Sequence, residues 1–138
     1  MLIDTHVWIW MAVGESRRLG PKTRRRLARA TGADAPSVST LSVFEIAALH
    51  TAGRLMFTMP VERWIRESIA AAGLRVIDID TDIALDAGLV PRAALADPID
   101  RGLVSTAREY QVPLVTRDRR ILDYAARTGL VRAMDASA

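Results

Sequence analysis

Short apolar segments alternate along this chain with segments of helical periodicity, and this alternation restricts its fold more than any other feature. Strands are predicted at residues 1–3, 35–38, 75–79, 112–116 and, at a sheet edge, 130–133. Helices are predicted over residues 5–13, 22–30, 40–50, 61–72, 82–90, 98–110 and 118–128. Strands separated by helices form a parallel sheet with both faces covered. The sequence therefore predicts an α/β fold, a short parallel sheet flanked by helices on both faces.

Composition supports one globular domain and excludes several classes of function. The chain has 138 residues, of which 50% are hydrophobic and 25% are charged, so we expect a single domain over residues 1–138. Because cysteine is absent, disulfides and thiolate-ligated zinc or iron–sulfur sites are excluded. No apolar run reaches the roughly 18 residues of a membrane helix. The apolar segment 2–13 lacks the basic start of a signal peptide, so we expect a cytoplasmic protein without membrane contact.

Positive charge is concentrated in one segment. The chain carries 19 basic and 16 acidic residues, and no acid lies between Glu15 and Asp34. We call the basic side chains of that segment the basic block: Arg17, Arg18, Lys22, Arg24, Arg25, Arg26 and Arg29. Such a block indicates a polyanionic partner, and a solvated helix face explains it equally well.

Several aspartates stand where a helix begins, which ordinary capping can explain. Asp4 follows the first predicted strand and Asp118 follows the fourth, and each alone is best interpreted as an N-cap. If Asp97 caps the helix predicted over residues 98–110, Asp100 occupies the N3 position of a capping box. However, Asp100 also shares a helical face with apolar side chains between residues 103 and 107. Capping and function therefore explain Asp100 about equally, whereas Asp97 is assigned to the cap.

Glu45 is the acid that capping does not explain. It lies more than one turn into a helix predicted to begin at Ser39 or Thr40, among mostly apolar neighbours. A carboxylate in such surroundings is unfavourable unless it is paired or bound to a metal. An arginine across an interface could supply the pair, but the position favours a function for Glu45.

The four acids Asp4, Glu45, Asp100 and Asp118 are all predicted at the carboxyl edge of the sheet, where α/β proteins bind ligands. Neighbouring carboxylates repel and raise one another's pKa, and a divalent cation removes that penalty. An all-oxygen ligand set suits Mg²⁺ or Mn²⁺ rather than zinc. Apart from these four, 12 of the 16 acidic residues remain against 19 basic ones. An acidic pocket in basic surroundings predicts metal-dependent phosphodiester hydrolysis.

The histidines do not alter this interpretation. His6 and His50 lack a partner at metal-ligand spacing. We expect His6 to be packed or to lie beside the site, and His50 to lie at a helix end. The remaining loop, residues 51–60, has room for a local hairpin at 54–57.

The motifs also resemble a known family, the PIN-domain toxins of the VapC type. The segment Leu2-Ile-Asp-Thr-His-Val-Trp-Ile-Trp is similar to the family's opening, and Ser42-Val-Phe-Glu-Ile, Asp97-Pro-Ile-Asp-Arg and Leu114-Val-Thr-Arg-Asp follow in the family's order. The resemblance spans nearly the whole chain. It carries the family's four acids to Asp4, Glu45, Asp100 and Asp118, and it matches Thr116 to a hydroxyl residue near the site. Gly102 departs from it, because the family's helix is usually richer in alanine and glycine weakens a helix by roughly 1 kcal/mol.

The resemblance implies a PIN-like three-layer fold, a homodimer and an Mg²⁺- or Mn²⁺-dependent endoribonuclease toxin acting on tRNA or ribosomal RNA. It also implies a cognate VapB-type antitoxin that shields the active-site groove. As hypotheses, Asp4, Asp100 and Asp118 hold the metal. Glu45 completes the shell or orients the attacking water, and arginines of the basic block hold the RNA backbone. Candidate apolar contacts are Trp10 and residues 55–57, while Trp8, Phe44 and Trp64 are assigned to the core.

Two alternatives stay open from the residues alone. One is a catalytically silent RNA-binding or interaction module on the same fold. The other is a metal-dependent phosphatase or phosphotransfer enzyme of the receiver-like type. The second alternative needs a lysine after its last strand, whereas the only lysine in this chain is Lys22.

Overall fold

The computed structural model describes residues 1–138 and contains one sheet of five parallel strands. The strands are β1 (Leu2–Ile3), β2 (Ser37–Ser39), β3 (Arg75–Ile77), β4 (Leu114–Thr116) and β5 (Ala133–Asp135). Their order is β3-β2-β1-β4-β5, and every neighbouring pair is parallel. The first strand of the chain is therefore the central strand of the sheet.

Seven α-helices surround the sheet. They are α1 (Thr5–Ala12), α2 (Pro21–Arg29), α3 (Thr40–Thr51), α4 (Val61–Ala72), α5 (Thr81–Leu89), α6 (Pro98–Glu109) and α7 (Arg119–Thr128). Short 3₁₀ turns at Ser16–Arg18 and Gly32–Asp34 lie on either side of α2. None of these helices combines the length and the apolar character that crossing a membrane requires.

Neighbouring residues along a strand pack into two separate apolar cores. Ile3 of β1 and Val115 of β4 pack in one core, with side chains of α1, α3 and α4. Leu2 and Leu114, their neighbours along the same strands, pack in the other core with side chains of α6 and α7. Because successive side chains of a strand point to opposite faces, the two cores lie on opposite sides of the sheet. The predicted three-layer α/β fold is confirmed.

Some element boundaries differ from prediction, and polar side chains explain part of the difference. The second strand, predicted at 35–38, contains two buried serines: Ser37 donates to the carbonyl of Met1, and Ser39 caps α3 by accepting from the amide of Leu41. Both hydroxyls have backbone partners, so serines can be buried in this strand, whose bounds are Ser37–Ser39 and not 35–38. The predicted fifth strand at a sheet edge is confirmed, but its bounds are Ala133–Asp135 and not 130–133, since pairing with β4 sets its position. The hairpin at 54–57 does not form.

Gly102 has a specific role in packing α6 against α3. A Cβ atom at this position would lie 2.0 Å from the Cδ1 atom of Leu41 on α3. The absence of a side chain at Gly102 thus leaves room for the Leu41 side chain to pack over α6. The same two helices carry two of the four acids, Glu45 on α3 and Asp100 on α6.

Candidate functional site

The carboxyl edge of β1 and β4 forms a crevice in the middle of the sheet. The chain leaves β1 toward one side and returns through β4 on the other, which is the arrangement at which α/β sheets bind ligands. A small pocket of about 70 Å³ opens there. Its lining brings together all four predicted acids and six further residues: Asp4, Thr5, His6, Glu45, Asp97, Asp100, Leu103, Asp118, Arg120 and Ile121.

Asp4 is the most deeply buried of these acids, with 6% of its surface exposed. Its Oδ1 atom caps α1 by accepting from the amide of Val7 at 2.8 Å. Its Oδ2 atom accepts from the hydroxyl of Thr116, at the end of β4. Burial raises the pKa of Asp4, while the hydrogen bond from Thr116 opposes that rise.

Thr116 connects Asp4 to Asp118. Its Oγ1 atom accepts from the amide of Asp118 at 2.9 Å while its hydroxyl donates to Asp4. Thr116 is fully buried, and its hydrogen bond to Asp4 is shielded from water. The sequence prediction that Thr116 lies beside the acids is confirmed as a matter of position.

Asp118 is held by an arginine that sequence reasoning missed. Arg120 donates from Nη2 to Asp118 Oδ2 at 2.7 Å and from Nε to Asp118 Oδ1 at 3.2 Å. These hydrogen bonds lower the pKa of Asp118. Asp118 Oδ1 also caps α7 by accepting from the amide of Arg120. The only available sequence signal was the two-residue spacing, and Arg117 and Arg119 beside it made Arg120 indistinguishable.

Asp100 is the acid whose charge is least compensated. Its Oδ2 atom is buried and has no hydrogen-bond partner, and the closest cationic atom is Arg120 Nη2 at 3.9 Å. Burial, followed by the negative charges of Asp97 and Asp118, raises the pKa of Asp100 to about 7. Asp97 caps α6 as predicted, accepting from the amides of Ile99 and Asp100. A capping box also requires the Asp100 side chain to accept from the amide of Asp97, and this hydrogen bond is absent, so the capping-box explanation of Asp100 was wrong.

Glu45 has a hydroxyl partner rather than an arginine. The Thr5 hydroxyl donates to Glu45 Oε2 at 2.7 Å and lies 3.0 Å from the Ser42 hydroxyl. Glu45 is half-buried at the rim of the pocket, and no ion pair involves it. The alternative explanation of Glu45, an ion pair with an arginine, finds no partner within this chain.

The pocket fits a hard divalent cation by the chemistry of its donors. Most of its polar lining is carboxylate, and one carboxylate oxygen, Asp100 Oδ2, is buried without a partner. No three acidic or histidine side chains are already grouped tightly enough to hold an ion. Carboxylates without a cation between them repel one another.

The histidines and aromatic residues meet only some of the expectations. His6 is exposed, with its ring 6.0 Å from that of Trp10, so it lies beside the site and is not packed. His50 lies near the end of α3, with Nδ1 3.2 Å from the carbonyl of Leu55. Trp8 is fully buried, as predicted. The assignment of Phe44 to the core was wrong, because 65% of it is exposed and α3 has more apolar residues than one face can bury.

A parallel sheet between helical layers, with carboxylates gathered at its central crevice, defines an α/β protein with an acidic site. The family model described as PIN domain matches residues 1–127. The chain therefore belongs to the PIN-domain family, as the motif resemblance predicted.

The chain is similar in sequence to one known ribonuclease and in structure to solved toxin–antitoxin proteins. The chain is 32% identical over 121 residues to Ribonuclease VapC22 of Mycobacterium tuberculosis, covering 88% of both proteins. Among solved structures, it is similar to VapBC-1 from nontypeable Haemophilus influenzae, with a TM-score of 0.68, 14% identity and coverage of 99% and 98% of the two chains. VapBC2 from Rickettsia felis, bound to a promoter DNA fragment, gives a TM-score of 0.66, 13% identity and 96% coverage of both. At these identities the solved structures establish the fold.

Proposed function

We propose that residues 1–138 form a single PIN domain that acts as a metal-dependent endoribonuclease toxin of the VapC type. Its proposed substrates are structured RNAs such as tRNA or ribosomal RNA. The observation that carries the proposal is the buried, unpartnered Oδ2 atom of Asp100 in a pocket lined by three further acids. The similarity to a mycobacterial ribonuclease over most of the chain supports the same activity.

Asp4, Asp100 and Asp118 are the residues that would hold Mg²⁺ or Mn²⁺. When bound, such a cation stabilises negative charge on the scissile phosphate and lowers the pKa of water. Thr116 fixes Asp4 and the backbone of Asp118, so two of the three carboxylates stand on one rigid unit. Arg120 is 70% exposed, and its side chain can leave Asp118 without disturbing the core.

Glu45 is the residue proposed to act on the attacking water. The hydroxyl of Thr5 orients one of its carboxylate oxygens and leaves the other available at the rim of the pocket. A carboxylate in this position accepts a hydrogen bond from water and takes its proton during attack. Since Glu45 is only half-buried, the proton can pass on to solvent.

Cleavage of total RNA tests the proposal. The purified chain is incubated with RNA in Mg²⁺ or Mn²⁺ and in EDTA, and new 5′ ends are mapped by sequencing. Asp4→Asn should abolish discrete cleavage, because it removes a buried carboxylate at the centre of the site. The matched control Asp123→Asn, which changes an exposed aspartate of α7, should cleave as the wild type does. Absence of new ends with folded wild-type protein would favour the catalytically silent RNA-binding module.

Exposed apolar side chains support the partners proposed for this family member. Leu85 and Leu89 are 61% and 73% exposed and lie one turn apart on α5, and we assign this face to a homodimer. We assign Met56, which is 85% exposed, to contact with a VapB-type antitoxin. Sedimentation equilibrium of Leu85→Glu should show loss of the dimer with retention of antitoxin binding, and Met56→Glu should show the reverse.

A further inference from the structure

Four arginines surround a cavity of about 390 Å³ on the flank of the carboxyl edge. We call them the arginine cleft: Arg17, Arg18, Arg24 and Arg117. The first three belong to the basic block, whereas Arg117 lies between Thr116 and Asp118 in the chain. The cleft is thus attached directly to the loop that carries one of the catalytic acids.

Trp10 on α1 gathers two of these guanidinium groups. The guanidinium carbons of Arg18 and Arg117 lie 5.8 and 5.6 Å from the centroid of the Trp10 ring, within cation–π distance. Arg117 also donates from Nη1 to the carbonyl of Arg18 at 3.1 Å. An aromatic ring and a carbonyl therefore hold two like charges near each other.

Most of the positive charge in the cleft is not neutralised. Arg18 pairs with Glu15, but no acid forms an ion pair with Arg17, Arg24 or Arg117. All four side chains are exposed to solvent. Guanidinium groups that converge without acidic partners are suited to binding phosphate through paired hydrogen bonds.

A groove connects the cleft with the acidic pocket. It has a volume of about 480 Å³ and shares His6 and Glu45 with the acidic pocket and Arg18 with the cleft. A polyanionic chain whose phosphate lies at the four acids can therefore continue past Trp10 to the arginines. The other part of the basic block is elsewhere, because Arg26 and Arg29 line a separate pocket beside Met1, before the first strand.

We propose that the arginine cleft binds backbone phosphates of the RNA on one side of the scissile phosphate. The inference rests on the proposed function for the identity of the chain as RNA. RNA is favoured over an acidic protein segment because the cleft offers four guanidinium groups and few apolar side chains. Within the basic block, binding is thereby assigned to Arg17, Arg18 and Arg24 and not to Arg26 and Arg29.

The test compares two pairs of substitutions that remove equal charge. Arg24→Ser/Arg117→Ser changes the cleft, and Arg26→Ser/Arg29→Ser is the matched control on the other side of α2. Both are made in full-length Asp4→Asn protein, and thermal melts establish that each variant is folded. Fluorescence anisotropy then measures the Kd for a fluorescein-labelled single-stranded RNA of mixed sequence over a series of salt concentrations.

The cleft pair should weaken RNA binding about tenfold and reduce the slope of log Kd against log salt by about 1.4, since each phosphate contact on a single strand contributes about 0.7. The control pair should leave both quantities unchanged. The proposal that the arginine cleft binds RNA would be overturned by any of three results: equal losses of RNA affinity in the two pairs, unchanged binding in the cleft pair, or no RNA binding at all. Cleft-dependent binding by a chain whose wild type cleaves no RNA with metal present would support the cleft and refute the proposed function.

Discussion

Replacing Gly102 by alanine tests whether the contact between α3 and α6 is as close as the structure shows. The new Cβ atom would lie 2.0 Å from Leu41 Cδ1 and 3.5 Å from Leu41 Cγ. The first distance is far inside van der Waals contact, so the Leu41 methyl group must move. Leu41 is only half-buried, and rotation of its side chain can relieve part of the overlap.

Two opposing effects determine the magnitude. Alanine stabilises the interior of a helix by about 1 kcal/mol relative to glycine. Overpacking a well-packed contact costs about 1 to 3 kcal/mol. We therefore expect Gly102→Ala to lower the free energy of unfolding by about 1 kcal/mol, near the middle of the resulting range. In a Leu41→Ala background the overlap is absent, and the same substitution should raise the free energy of unfolding by about 1 kcal/mol.

A double-mutant cycle measures this reversal. Urea unfolding of the wild type, the two single variants and the double variant gives the coupling between positions 41 and 102. The expected coupling is about 2 kcal/mol, the difference between the two effects of Gly102→Ala. Stabilisation of the same size in both backgrounds would refute the close contact.

Three further predictions concern the acidic pocket. Thr116→Val removes the partner of Asp4 and of the Asp118 amide, and it should lower the free energy of unfolding by about 2 to 4 kcal/mol in urea melts, whereas Thr116→Ser should be close to wild type. The pKa of Asp100 is raised to about 7, so the folded state binds this proton more tightly than the unfolded state does. The resulting stabilisation of the fold is present at pH 4 and is lost as the pH rises through 7. Metal-free protein should therefore melt at lower temperature at pH 8 than at pH 5, and Asp100→Asn should remove part of that difference. Arg120→Ala removes a competing cation from an exposed ion pair and should tighten Mn²⁺ binding about two- to fivefold by calorimetry, and unchanged or weaker binding would contradict the competition.

The fold was predictable because strands and helices leave different patterns of apolar residues in the sequence, and the two patterns alternate along the chain. Strand segments such as 112–116 are apolar at adjacent positions, whereas the 61–72 helix repeats its apolar residues every three or four positions. The bounds of β2 were displaced because its serines are buried with backbone partners, which hydropathy does not indicate. The bounds of β5 were displaced because its position depends on pairing with β4 and not on its own composition.

The acids of the candidate site were predictable from the sequence, but Arg120, the positively charged side chain among them, was not. A carboxylate placed in an apolar helix or after a strand is conspicuous, because burial of charge needs an explanation. Arg120 is conspicuous only in three dimensions, since arginine is common in this chain and its partner Asp118 already had an interpretation as a cap. The close approach at Gly102 was equally hidden, because it depends on Leu41, which lies 61 positions earlier in the chain.

Capping and the proposed metal binding are compatible at the same aspartates, because a carboxylate has two oxygens. Asp4 caps α1 with Oδ1 and presents Oδ2 to Thr116 at the crevice. Asp118 likewise caps α7 with Oδ1, and its Oδ2 atom faces Arg120 within the pocket. A helix that begins immediately after a strand thus fixes one oxygen of its cap and directs the other toward the carboxyl edge of the sheet. The cap explains how each aspartate is held rigidly, and the second oxygen, which serine lacks, is the atom that would bind a cation in the proposed metal site.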